Sequence, residues 1–184
     1  MIIDMKDQKW IALFSQSGSE IALIAEALGR WPDEIITNRT PGDIHTLNPA
    51  IATERITYLS KTPTAEEYLE ALGEEPALIT LHGWLRIIPE AVIQQHPDII
   101  NGHPGALSIQ EGILKGMNPQ EKAYRMNLTV SGCVLHKVTV GVDEGPVLEE
   151  RLVEIKDLSL DGVYKTLHET SVSLWVSFLK GEVV

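Results

Sequence analysis

The chain has 184 residues, a formal net charge of −11, 43% hydrophobic and 22% charged residues, and one cysteine. Those proportions suit a globular domain, and the length fits the roughly 100–200 residues of a single one, so one domain is expected over 1–184 with a short N-terminal tail at 1–8. The acidic balance argues against nucleic acid as a partner, because binding phosphates calls for a basic face, and the lone Cys133 excludes an internal disulfide.

The start, Met1-Ile2-Ile3-Asp4-Met5-Lys6-Asp7, lacks the basic and apolar regions of a signal peptide. No stretch reaches the ~20 apolar residues of a membrane span, so a cytoplasmic protein without a membrane partner is expected. Trp10–Phe14 is a short apolar run feeding the turn Ser15-Gln16-Ser17-Gly18-Ser19, and reads as a buried strand before a helix. That helix, Ile21–Leu28, closes at Gly29. Strands are expected at Asp33–Thr37 and Arg55–Leu59, with a turn at Pro41-Gly42 and a weak helix over Leu47–Thr53 between them. Thr64 and Glu67 form a capping-box pattern for a helix ending before Gly73. A fourth strand at Ala77–Leu81, a short helix at Pro89–Gln95 and a fifth strand at Asp98–Asn101 follow.

Strands alternating with helices predict an α/β fold, a Rossmann-like open sheet that is mostly parallel with flanking helices. The rhythm then changes. Met117–Met126 reads as a loop with a short helix. Thr129–Val140 and Pro146–Ile155 read as a C-terminal antiparallel hairpin, and Asp161–Leu179 as the last helix.

Two places stand out for chemistry. Asn101-Gly102-His103-Pro104-Gly105 lies at the C-terminal end of a parallel strand, where open α/β sheets bind ligands. Residues i and i+2 of an extended chain face the same way, and Pro104 favours that geometry for His103, so Asn101 and His103 can aim at one point. The Ser15–Ser19 turn could hold an anion on backbone N–H groups at a helix N-terminus, although a serine N-cap accounts for it equally well. Taken alone, Asp143 in Gly141-Val142-Asp143-Glu144-Gly145 is ordinary turn chemistry. His136, in an apolar strand, reads as structural. The six histidines lack metal-ligand spacing, so no metal is expected, and Cys133 reads as a buried small side chain.

The Asn-x-His-Pro element together with the later run Ser131-Gly132-Cys133-Val134-Leu135-His136-Lys137-Val138-Thr139-Val140-Gly141-Val142-Asp143-Glu144-Gly145-Pro146-Val147 resembles the folate-dependent formyltransferases. Within them it is most similar to the phosphoribosylglycinamide formyltransferases of purine synthesis, over about Trp10 to Glu169. The resemblance implies an enzyme with Asn101, His103 and Asp143 as catalytic trio. It implies that 10-formyltetrahydrofolate is the co-substrate, held by Trp84, Leu85, Arg86, Ile87, Ile88, Val140, Gly141 and Val142. It further implies a phosphorylated small-molecule amine, glycinamide ribonucleotide foremost, bound by Ser17, Gly18, Ser19, Glu20 and Glu169, in a monomer or homodimer. Formylation of another amine, such as an amino sugar nucleotide, and hydrolysis of formyltetrahydrofolate are the alternatives.

Gln16 and Glu20 stand where the family has glycine and asparagine, and Gly105 and Ala106 replace a Ser-Leu pair. A carboxylate at position 20 repels a phosphate unless it turns away or is paired. For the chemistry, Asn101 and a protonated His103 would donate to the developing oxyanion. Asp143 would raise the pKa of His103 and accept the amine proton.

Overall fold

The run Trp10–Phe14 forms β1 and is buried at all five positions, as a strand covered on both faces of a parallel sheet must be. The computed structural model describes residues 8–182, so the tail expected at 1–8 lies outside the described residues except for Gln8. β2 (Glu34–Thr37), β3 (Ile56–Tyr58), β4 (Leu78–His82) and β5 (Ile99–His103) run parallel to β1. β6 (Val130–Lys137) and β7 (Val147–Glu154) add antiparallel at one side. The seven strands form one sheet in the order β3-β2-β1-β4-β5-β6-β7.

Alternation along β1 sorts the core into two layers. Trp10, Ala12 and Phe14 join the cluster under α1 (Ser19–Leu28), α4 (Pro119–Arg125) and α5 (Leu160–Leu179). Ile11 and Leu13 join the opposite cluster with α2 (Ala65–Leu72) and α3 (Glu90–Gln95). The capping box starts α2 as expected: Glu67 N–H donates to Thr64 Oγ1 at 3.3 Å, and Thr64 N–H to Glu67 Oε2 at 2.8 Å. Ser159 caps α5 by accepting from Gly162 N–H at 3.1 Å.

Most boundaries shift by one or two residues from the sequence expectation, and three differences have an identifiable cause or consequence. The helix expected over 47–53 is only a 3₁₀ turn at Ile51–Thr53. β5 continues to His103 because Gly102 and His103 pair with Leu135 and Val134 of β6, a partner that local sequence cannot reveal. β6 stops at Lys137, whose N–H donates to Pro146 O, while the next N–H turns to Ile99 O. The strand order reverses between β1 and β4, since the chain builds outward in one direction through β2 and β3 and in the other through β5. Such a switch point opens a crevice at the carboxyl ends of the strands.

Candidate active site

Asn101 and His103 occupy the carboxyl end of β5 rather than a loop beyond it. Asn101 stands directly opposite His136 on β6, whose register with β7 shifts between Leu135 and His136. His136 Nε2 lies 3.1 Å from Asn101 Nδ2. The loop after β6 carries Asp143 back onto His136 and His103. Asp143 Oδ1 is 3.2 Å from His136 Nε2, and Oδ2 is 3.5 Å from His103 Nδ1. Gly116 N–H donates to Oδ2 at 2.8 Å. Asp143 adopts φ 52°, a left-handed conformation that aspartate tolerates better than most residues. His136, expected to be structural, is therefore in the site. Its signal, cross-strand pairing with Asn101 at a separation of 35 residues, becomes visible only once the register is known.

The electrostatics revise one expectation. His103 is 6% exposed, and burial holds its pKa below the ordinary histidine value despite the opposing pull of Asp143. His103 Nε2 lies 2.7 Å from Leu114 O. A carbonyl only accepts, so Nε2 carries the proton and neutral His103 presents a proton-free Nδ1 to Asp143. For Asp143, burial pushes the carboxyl up. The hydrogen bond from His136, the adjoining His103 imidazole and the Gly116 N–H outweigh it and leave the group below its ordinary value. His136 Nδ1 is 2.9 Å from Lys137 O, so that nitrogen is the donor. His136 Nε2 then faces a donor, Asn101 Nδ2, and an acceptor, Asp143 Oδ1. With a proton on Nε2 it pairs with Asp143; without one it accepts from Asn101.

A cleft of about 120 Å³ opens onto Asn101, His136 and Asp143. Its walls are Leu81, Trp84, Ile87 and Ile88 on one side and Val138, Thr139, Val140, Gly141 and Val142 on the other, with Arg86 also lining it. Ile87 and Val140 are 73% and 65% exposed, so an apolar lip stands open to solvent. Of the residues expected around the folate, Leu85 alone lies outside this wall. Its side chain is exposed, and its N–H donates to Ser15 Oγ at 3.0 Å. Arg86 is tied to backbone, with Nε donating to Lys61 O and Nη1 to Leu85 O.

The Ser15–Ser19 turn follows β1, on the other side of the switch point. Gly18, at φ 74°, is the N-cap of α1 and no side chain caps the helix end in the usual way. Ser17 Oγ instead accepts from Ser19 N–H at 3.3 Å and donates to Ser19 Oγ at 3.1 Å. Glu20 turns away from the turn. Its Oε2 is 2.7 Å from His82 Nδ1, and Ser171 Oγ donates to its Oε1. Burial raises the Glu20 pKa, but His82, Ser171 and His168 together bring it below the ordinary value. Glu169 is not brought to the turn. It lies on α5 beside Leu23 and Ala27 of α1, its side chain 66% exposed and 4.0 Å from Lys165 Nζ. Being two residues from Ser171, it sits on a different side of the helix. Cys133 is buried, and burial pushes its thiol pKa up, away from reactivity.

The family model described as formyl transferase matches residues 39–179. The chain belongs to the formyl transferase family. It is 29% identical over 135 residues to a phosphoribosylglycinamide formyltransferase of Bacillus subtilis (strain 168), an alignment covering 72% of this chain and 67% of that protein. It is also 31% identical over 78 residues to a formyltetrahydrofolate deformylase of Synechocystis sp., covering 42% of this chain and 26% of that protein. The fold matches the crystal structure of a phosphoribosylglycinamide formyltransferase from Anaplasma phagocytophilum with TM-score 0.78 and 23% identity, over 95% of this chain and 86% of that one. Among the described residues no helix is long and apolar enough to cross a membrane.

Proposed function

We propose that the chain transfers a formyl group from 10-formyltetrahydrofolate to a primary amine, with glycinamide ribonucleotide as the leading acceptor. One observation carries this reading: the apolar cleft ends on Asn101, His136 and Asp143, so a carbonyl donor and proton-handling groups share one floor. The family match and the named relatives support the reaction class. The cleft suits the ring system of a folate, with apolar walls and Arg86 for a polar end.

The formyl-bearing folate supplies an activated carbonyl. The acceptor nitrogen bonds to the formyl carbon, the bond from that carbon to the folate nitrogen breaks, and the proton lost by the acceptor ends on the folate nitrogen. Asn101 has a second N–H beyond the one directed at His136, and that N–H stabilises the developing oxyanion. Asp143 accepts the acceptor's proton. His136 Nε2 and the proton-free Nδ1 of His103 flank Asp143, so the proton moves within the cluster until the folate nitrogen takes it. Donors fixed before the reaction need no reorganisation during it.

The turn and the catalytic cluster lie at the ends of β1 and β5, separated by β4. At ~4.8 Å per strand spacing that is roughly 10 Å, a span suited to an acceptor whose amine and tail bind at opposite ends. The inward turn of Glu20 removes the simplest objection to an anionic tail at Ser17–Ser19. Incubating the protein with 10-formyltetrahydrofolate and glycinamide ribonucleotide, while following tetrahydrofolate release, tests the reading. Amine-dependent release supports it; equal release without amine assigns hydrolysis instead.

A further inference from the structure

We propose that Glu20 is a positioning residue: its bridge to His82 and Ser171 holds the acceptor turn and the catalytic end of β5 in one fixed relation through Trp175 and Gly102. The proposal rests on the formyl-transfer reading for its kinetic arm only.

The argument follows an unbroken line of contacts across the sheet. Glu20 lies in the first turn of α1, directly after Ser17–Ser19. Its carboxylate joins α1 to the end of β4 through His82 Nδ1 at 2.7 Å, and to α5 through the Ser171 hydroxyl. The His82 side chain is 1% exposed and that of Glu20 17%. The other ring nitrogen of His82 lies 2.9 Å from Thr80 Oγ1, which accepts from Trp10 Nε1 at 2.8 Å. The imidazole is thereby fixed at both ends. Its ring packs on the Trp175 indole with centroids 4.7 Å apart.

Trp175 in turn lies over Gly102, the residue between Asn101 and His103. A Cβ at Gly102 would sit 2.5 Å from Trp175 Nε1, so the indole rests on the backbone itself. That Nε1 is buried without a hydrogen-bond partner among the described residues. A buried unpaired N–H costs about 1–3 kcal/mol, so the fold keeps the ring there against a penalty. His82 is the register partner of both Phe14 and Gly102, which places the whole line at the level of the site. Two functional ends that lie on different strands are thus braced by one row of packed groups. Displacing it shifts Asn101 and His103 relative to the turn, and a misplacement of about 1 Å can cost up to ~10²-fold in rate.

The experiment measures Glu20→Ala, Glu20→Gln and Gly102→Ala with 10-formyltetrahydrofolate and glycinamide ribonucleotide, alongside ¹⁵N NMR of the folded proteins. Glu20→Ala is expected to raise the acceptor KM and lower kcat by roughly 10–100-fold, while folate binding, read by quenching of Trp84 fluorescence, stays unchanged. Glu20→Gln keeps the His82 bond on its amide oxygen and reverses the Ser171 one, its amide N–H donating to the hydroxyl, each at about half the charge-assisted strength, and restores most of the loss. Gly102→Ala, acting from the other end of the row, lowers kcat with the same sparing of folate. In NMR, Glu20→Ala moves both the Trp175 indole N–H and the Asn101 side-chain amide. Equal loss of folate and acceptor binding in Glu20→Ala overturns the proposal, since that marks general loosening. An unmoved Asn101 amide also overturns it. The NMR arm needs no turnover, so it decides the bracing role even if glycinamide ribonucleotide proves not to be the acceptor.

Discussion

The β5–β6 end of the site and the β1–α1 turn face the same crevice, yet they are built in opposite ways. At β5–β6, polar groups from separate segments point at one another, and three of them are held by backbone: Leu114 O for His103, Gly116 N–H for Asp143, Lys137 O for His136. At the turn, the ionisable residue points inward to His82 and Ser171, leaving serine hydroxyls and backbone at the surface. Preorganised charge suits bond-making; a neutral turn suits recognition of whatever is brought to it. On the proposed function, reaction class and acceptor identity are encoded at different places and can change independently.

The sharpest way to break this contrast is to disarm the first region. Asn101→Ala removes the proposed oxyanion donor and should lower kcat about 10²–10³-fold. Asp143→Asn, which cannot take the acceptor proton, should fall comparably, and His136→Ala should follow because it removes a proton partner of Asp143. Single-turnover rates check all three, and near-normal turnover by Asp143→Asn would overturn its assignment.

Substitution in the turn should act on architecture rather than on chemistry. Gly18→Ala places a side chain at φ 74°, with its Cβ 2.6 Å from Ile51 Cδ1. The left-handed backbone alone costs roughly 1–2 kcal/mol, so the urea midpoint should drop while the kcat of the folded fraction changes far less than in Asn101→Ala.

Acid separates the regions more gently. His103 has a folded pKa depressed from 6.5, so the unfolded chain takes its proton first and stability declines as pH falls through 6.5. Asp143 and Glu20, depressed from 3.8 and 4.5, add their losses only at lower pH. Urea midpoints between pH 7.5 and 5.5 should fall in the wild type and fall less in His103→Asn. The smallest effect belongs to Glu169→Ala. With its side chain exposed on the far side of α5, it should leave both KM values essentially unchanged.

Much of this was readable in the chain. β1 matched its expected bounds, the Thr64 capping box formed, and the hairpin appeared where Gly- and Asp-containing turn residues placed it, because these follow from local pattern. The convergence of Asn101, His103 and Asp143 was legible through resemblance alone, since Asp143 by itself looks like turn chemistry. What stayed hidden depended on tertiary placement. The register that faces His136 with Asn101, the burial that outweighs Asp143 at His103, and the helix side taken by Glu169 are all set by neighbours far away in sequence.

The spacing of Asn101, His136 and Asp143 along the chain sets the order in which the site comes together during folding. His136 and Asp143 belong to one hairpin, whose closure is local and fast, on the order of microseconds for an isolated hairpin. Asn101 joins them only when β5 docks on β6 across a separation of 35 residues, a closure with a larger entropic cost. His136 and Asp143 are therefore a unit that travels together, and Asn101 is the late arrival. Regain of activity after dilution from denaturant should lag behind formation of the hairpin.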